Sequence, residues 1–150
     1  MSTFLVVHGA WTGGWSWKKM RPLMRARGHE VFTPTLTGVG DRAHLARPEI
    51  DLSVHVEDIL GVLAIEDLRD VILVGHSYGG MVATGVADRA RDRVAHLIYL
   101  DAFVPKDGQS LSDLVPEAQR QRMRDSVKAG DGWRVAPNPT SGDTSPEDQA

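Results

Sequence analysis

The 150-residue sequence predicts an α/β fold, a three-layer α/β/α sandwich on a mostly parallel sheet. Two observations predict it. Short aliphatic and β-branched runs closed by Gly or Pro alternate with stretches whose apolar residues recur at helical spacing. The strongest run, Val71-Ile72-Leu73-Val74, passes directly into a turn containing Gly and Ser and then into another helical stretch. Strands separated by helical patterns imply right-handed βαβ crossovers and a sheet covered on both faces.

Taken in order, Phe4 to Val7, closed by Gly9, has the pattern of a strand buried on both faces. Trp15, Trp17, Met20, Leu23 and Met24 recur at helical spacing and Gly28 terminates them, so a helix of about three turns is expected. Glu30 to Thr33 reads as a short strand stopped by Pro34, and Thr35 to Pro48 as loop. Ser53 is the expected N-cap of a helix with the apolar stripe Val56, Ile59, Leu60 and Leu63, which leads into the Val71 strand. Gly79 to Arg91 is the next helix and Val94 to Leu100 the next strand. After Pro105 the pattern changes: Leu111 to Val127 is helical and amphipathic, with Arg120, Arg122 and Arg124 on a solvated face, and the sheet stops growing. Residues 136–150 are almost entirely polar or small and are expected to form a mobile tail.

Composition narrows the function classes. With 41% hydrophobic and 25% charged residues, the chain is an ordinary globular one, and its length suits one core. Seventeen basic against 20 acidic residues, a formal charge of -3, leave no electrostatic footprint for nucleic acid or an anionic membrane; a small, neutral or weakly charged molecule fits better. The absence of cysteine removes disulfides, thiolate metal sites and a Cys nucleophile, and agrees with a cytoplasmic location. The N-terminal apolar run is short and lacks a basic leader, and no run nears the ~18 apolar residues of a spanning helix.

The chemistry is concentrated at Gly75-His76-Ser77-Tyr78-Gly79, a G-x-S-x-G placed after a strand and before a helix. A sharp strand-to-helix turn holds a serine in a strained conformation, and the crowding beside it excludes side chains at Gly75 and Gly79. The turn sets Ser77 at a helix N-terminus, where unpaired N–H groups favour developing negative charge. His8-Gly9-Ala10-Trp11 follows the first strand, which is expected beside the Val71 strand. The Ala10 and Tyr78 amides are therefore the candidate oxyanion donors, with Gly9 and Trp11 lining the substrate side.

Four segments now carry a resemblance: Val7-His8-Gly9-Ala10-Trp11-Thr12-Gly13-Gly14-Trp15, Leu36-Thr37-Gly38-Val39-Gly40-Asp41-Arg42, Val74-Gly75-His76-Ser77-Tyr78-Gly79-Gly80-Met81 and Tyr99-Leu100-Asp101-Ala102-Phe103-Val104-Pro105. Across residues 4–133 the chain resembles the N-terminal portion of the α/β-hydrolases, among them small esterases similar to plant methylesterases, hydroxynitrile lyases and bacterial pyrethroid-hydrolase-like enzymes. The resemblance implies a serine nucleophile activated by His and oriented by Asp, with no metal and no organic cofactor. It implies a core over residues 1–110, the beginning of a helical lid over 111–135, and the polar tail over 136–150. Hydroxynitrile lyases bear Thr where this chain has Gly9, so the resemblance leans toward hydrolysis of a small carboxylic ester by acyl-enzyme chemistry.

One part of the expected machinery is missing. A serine hydroxyl needs a base, normally His, following the nucleophile and an acid in chain order. The histidines stand at 8, 29, 44, 55, 76 and 96, and only His96 follows Ser77. It lies within a strand and reads as a packed structural residue; His8 and His76 read as backbone braces, and His29, His44 and His55 as surface or loop residues. Asp101, just past the last strand, is the alternative acid. In the resembled family acid and base come from later strand ends, so the chain is expected to stop within the lid. A C–C lyase and a non-catalytic binding relict are the competing readings. The exposed sheet edge expected from missing strands also allows a homodimer.

Overall fold

The computed structural model describes residues 1–137. They fall into two compact units, Met1–Val115 and a second that begins at Pro116. The first holds a four-stranded, fully parallel sheet in the order β2-β1-β3-β4, formed by β1 (Thr3–Val7), β2 (Glu30–Phe32), β3 (Val71–Ser77) and β4 (Val94–Ala102). Helices α1 (Met20–Ala26), α2 (Leu52–Ile65) and α3 (Gly79–Arg89) connect the strands, and α4 (Leu111–Leu114) follows them.

Alternation along β1 and β3 separates two cores. Leu5, Val7, Val71 and Leu73 meet Ile59 and Leu63 of α2 and Val82 and Val86 of α3, all buried. Val6, Val31 and Val74 face the other way, against Trp17 and Met24. The central strands are apolar on both faces because both faces are covered, as a parallel sheet requires. At β4 the cover is incomplete: Ile98 is 43% and Leu100 46% exposed, and His96, expected to be packed, is exposed as well.

Three local expectations are corrected. The helix expected through Trp15 and Trp17 is a 3-10 turn, Gly14–Trp17, followed by a shorter α1. Pro22 lies in the first turn of α1, where its missing N–H is harmless, and its ring would clash with the carbonyl of residue 18 if the helix began earlier. Trp15 accordingly points outward, 44% exposed. The N-cap of α2 is Asp51 rather than Ser53, with its carboxylate accepting from the Val54 N–H at 3.1 Å. The stretch Thr35 to Pro48 contains 3-10 turns over Gly40–Leu45, broken by a kink at Arg42.

The second unit contains α5 (Glu117–Ala129). The helical pattern expected from Leu111 to Val127 is interrupted by Pro116, which precedes α5 in extended conformation. On α5 Glu117 ion-pairs with Arg120 and Arg124. The expected polar tail falls mainly on residues 138–150, outside the described residues.

Candidate active site

Ser77 ends β3 with φ 52, left-handed for a residue carrying a Cβ. That conformation costs about 1–2 kcal/mol and persists only where packing enforces it. Here a Cβ on Gly75 would stand 2.7 Å from the Gly79 carbonyl oxygen, and one on Gly79 would stand 2.3 Å from the Val7 carbonyl oxygen. Backbone meets backbone on both sides of the serine. α3 begins at Gly79, and the Phe103 N–H donates to the Ser77 carbonyl at 3.1 Å, closing the bend from the β4 side.

The end of β1 lies directly against this bend. Gly9 is so close that a Cβ there would come within 3.2 Å of both the Ser77 Cβ and His76 Nδ1. Among the described residues neither the Ala10 nor the Tyr78 amide donates a hydrogen bond. Trp11, with φ 59, is 44% exposed beside Ala10.

His8 is 1% exposed and uses both ring nitrogens. Nδ1 is 2.7 Å from the Gly9 carbonyl oxygen, which can only accept, so Nδ1 carries the proton. Nε2 then accepts from the Leu36 N–H at 3.0 Å. Burial holds the His8 pKa below its ordinary value, consistent with a neutral ring making these two bonds. The Thr12 hydroxyl donates to the same Gly9 carbonyl at 3.0 Å. Because C=O and N–H of a trans peptide point in opposite directions, two donors on the Gly9 oxygen fix the direction of the Ala10 N–H.

The other amide belongs to a residue with its own anchor. The Tyr78 hydroxyl is 2.8 Å from His55 Nδ1, and His55 Nε2 is 2.9 Å from the Thr37 carbonyl oxygen. A carbonyl accepts only, so Nε2 is the protonated nitrogen and the Tyr78 hydroxyl donates to Nδ1. The rings stand edge-on, 5.7 Å between centroids, and burial raises the Tyr78 phenol well above its ordinary range. Asp58 completes the arrangement by accepting from the Thr37 N–H at 2.6 Å and the Thr37 hydroxyl at 2.7 Å. His55, expected as a surface or loop residue, instead lies on the inward side of α2, and the signal for it is its spacing, three residues after Leu52 and four before Ile59.

Four of the six imidazoles are placed away from the role of the serine's base. His8 and His55 have both nitrogens engaged. His76 precedes Ser77 and turns to the opposite side of β3, edge-on to Trp17. His96 pairs in register with Ile72, five residues upstream of Ser77, which is about 16 Å along the strand. Asp101 occupies a bulge: the register steps from His76 opposite Leu100 to Ser77 opposite Ala102, leaving Asp101 unopposed, exposed and at φ 42. Among the described residues no group of three or more His, Asp or Glu side chains is arranged to hold a metal ion, and no helix is long and apolar enough to cross a membrane.

Comparison with known proteins places the chain in a family. A family model described as the alpha/beta hydrolase family matches residues 4–150. The chain is 55% identical over 118 residues to a protein of Nocardioides sp. (strain SG-4G) named carbendazim hydrolyzing esterase, covering 79% of this chain and 49% of that protein. It is 34% identical to salicylic acid-binding protein 2 of Nicotiana tabacum, covering 79% of this chain and 46% of that one. A solved extracellular alpha/beta-hydrolase from a Paenibacillus species superposes with a TM-score of 0.82 at 30% identity, over 88% of this chain and 53% of the other. The chain thus spans about half the length of the curated relatives it matches.

Proposed function

The chain belongs to the alpha/beta hydrolase family, and from that premise we propose that it carries the nucleophile and the oxyanion-stabilising amides of a serine hydrolase acting on small carboxylic esters. The observation that carries this reading is the left-handed Ser77 between β3 and α3, enforced by backbone contacts that tolerate only glycine at 75 and 79. Asp67 and Asp70 reach a similar φ in the connection between α2 and β3, so what distinguishes Ser77 is its place at the end of a strand between two glycines whose Cβ positions are blocked by backbone. The esterase names of relatives support the same substrate class.

In this reading the Ser77 hydroxyl gives its proton to a base, solvent or added imidazole, as its oxygen adds to the ester carbonyl; the tetrahedral oxyanion is held by the Ala10 and Tyr78 N–H groups, and the proton returns to the departing alkoxide. Collapse expels the alcohol and leaves an acyl-serine, which water then cleaves. Gly9 keeps the space above Ser77 open for the carbonyl, which favours ester cleavage over lyase chemistry, and Trp11 lines the acyl side. Asp101 is the candidate acid. His8, His55, His76 and His96 are engaged or turned away from Ser77, so rapid turnover is expected to need an added imidazole. We extend the reading to a cytoplasmic location on the absence of cysteine.

The test is p-nitrophenyl acetate hydrolysis with and without added imidazole, taking Ser77→Ala as background. The expected result is one burst of p-nitrophenolate per chain, slow turnover, and an acceleration by imidazole larger than the solution reaction of imidazole with the ester that Ser77→Ala also shows. Identical traces for both proteins would favour the non-catalytic binding relict.

A further inference from the structure

Two hydrogen-bond chains start at the two oxyanion amides and end on neighbouring residues of one loop. From Ala10 the path runs through the Gly9 carbonyl to His8 Nδ1, and from His8 Nε2 to the Leu36 N–H. From Tyr78 it runs through the phenol to His55 Nδ1, and from His55 Nε2 to the Thr37 carbonyl. Leu36 is 1% exposed and Thr37 9%, and Asp58 clamps Thr37 at both its amide and its hydroxyl. Leu36-Thr37 is therefore a fixed bracket to which both halves of the site are tied.

We propose that His55 is a positioning residue for the oxyanion site, setting the Tyr78 amide through the Tyr78 side chain and coupling it, across the Leu36-Thr37 bracket, to the Ala10 amide. The proposal rests on the hydrolase reading for its function and on the hydrogen bonds alone for its geometry. Anchoring the phenol fixes the Tyr78 Cβ and with it the backbone angle φ of Tyr78, which orients the N–H that follows the nucleophile. The coupling matters because both donors must address one oxygen: an error in either direction weakens both bonds. Helix α2 contributes no nucleophile or base in this site, so its link to the elbow through His55 is unexplained by the acyl-transfer steps themselves.

Tyr78→Phe, His55→Ala and His55→Gln test the proposal, each studied well below its own unfolding midpoint. Two readouts are taken: the ¹H–¹⁵N correlations of the Ala10 and Tyr78 amides, and the second-order rate of Ser77 labelling by a fluorophosphonate. Tyr78→Phe and His55→Ala are expected to shift both amide correlations and to slow labelling about tenfold, less than the hundredfold of a deleted donor. His55→Gln, whose side-chain amide both donates and accepts, is expected to recover part of the rate. If His55→Ala does not fold, Tyr78→Phe, which keeps the ring, carries the test. An unmoved Ala10 correlation in Tyr78→Phe overturns the coupling, and a lowered midpoint with wild-type correlations and rate reduces His55 to a stabilising contact. Were the wild type itself not labelled, the hydrolase reading would fall while the amide correlations still decide the coupling.

Discussion

Nε2 of His8 accepts the Leu36 amide proton across 3.0 Å, while Nδ1 of the same ring donates to the Gly9 carbonyl. The bond exists only while the imidazole is neutral, since protonation would set an N–H against the Leu36 N–H.

This gives the fold a pH dependence of definite sign. The folded His8 pKa lies below its ordinary 6.5, so between the two values the unfolded chain binds the proton and the folded chain does not. The contribution is complete above 6.5 and is lost as pH falls through the folded value. Urea unfolding of the wild type is expected to weaken below about pH 6.5 by up to about 1.4 kcal/mol per pH unit. His8→Asn, less stable at neutral pH, is expected to show a flatter curve. Parallel curves for the two proteins between about pH 7 and 5.5 would remove His8 as the cause.

Two glycines in similar helical settings are expected to respond with opposite signs to alanine. At Gly79 the new Cβ would meet the Val7 carbonyl oxygen at 2.3 Å and the His8 carbonyl oxygen at 2.7 Å, backbone atoms that cannot swing aside. Gly79→Ala is expected to cost about 3 kcal/mol. Gly61 lies exposed within α2 with nothing within 4 Å of its Cβ position, so Gly61→Ala is expected to stabilise by about 0.5–1 kcal/mol. Chemical denaturation of both variants checks the pair, and equal shifts would contradict the contact geometry.

Asp58 caps Thr37 twice with a side chain only 13% exposed. Asp58→Ala would leave the Thr37 N–H and hydroxyl without their acceptor, at a cost of about 2 kcal/mol measured by denaturant midpoint. A loss below about 0.5 kcal/mol would show that the loop holds without the carboxylate.

The nucleophile turn was legible in the sequence because a short spacing rule expresses it: glycines two residues either side of a serine between a strand and a helix. The strands were legible because burial on both faces leaves continuous apolar runs. What escaped was set by single residues overriding a pattern. Pro22 and Pro116 cut helices that periodicity alone would continue. His55 was misread because a polar residue on the inward side of α2 acquires meaning only when Tyr78 and Thr37, distant in sequence, are brought to it. His96 was misread because its packing depends on cover that this face of β4 lacks.

That uncovered face has a practical consequence. Ile98 and Leu100 are 43% and 46% exposed on the edge strand of the sheet. An exposed apolar edge invites association. Ile98→Thr with Leu100→Thr is expected to raise the soluble concentration limit while changing the unfolding free energy by less than about 1 kcal/mol. Unchanged light scattering at equal concentration would show that association runs through another surface.

The most direct measurement is the mass of the folded chain after exposure to a fluorophosphonate, followed by mapping of the modified peptide. A single adduct on Ser77, absent from Ser77→Ala, is the expected result. An unmodified chain, or an adduct elsewhere that survives the substitution, would contradict the claim that the strained bend between β3 and α3 presents a working nucleophile.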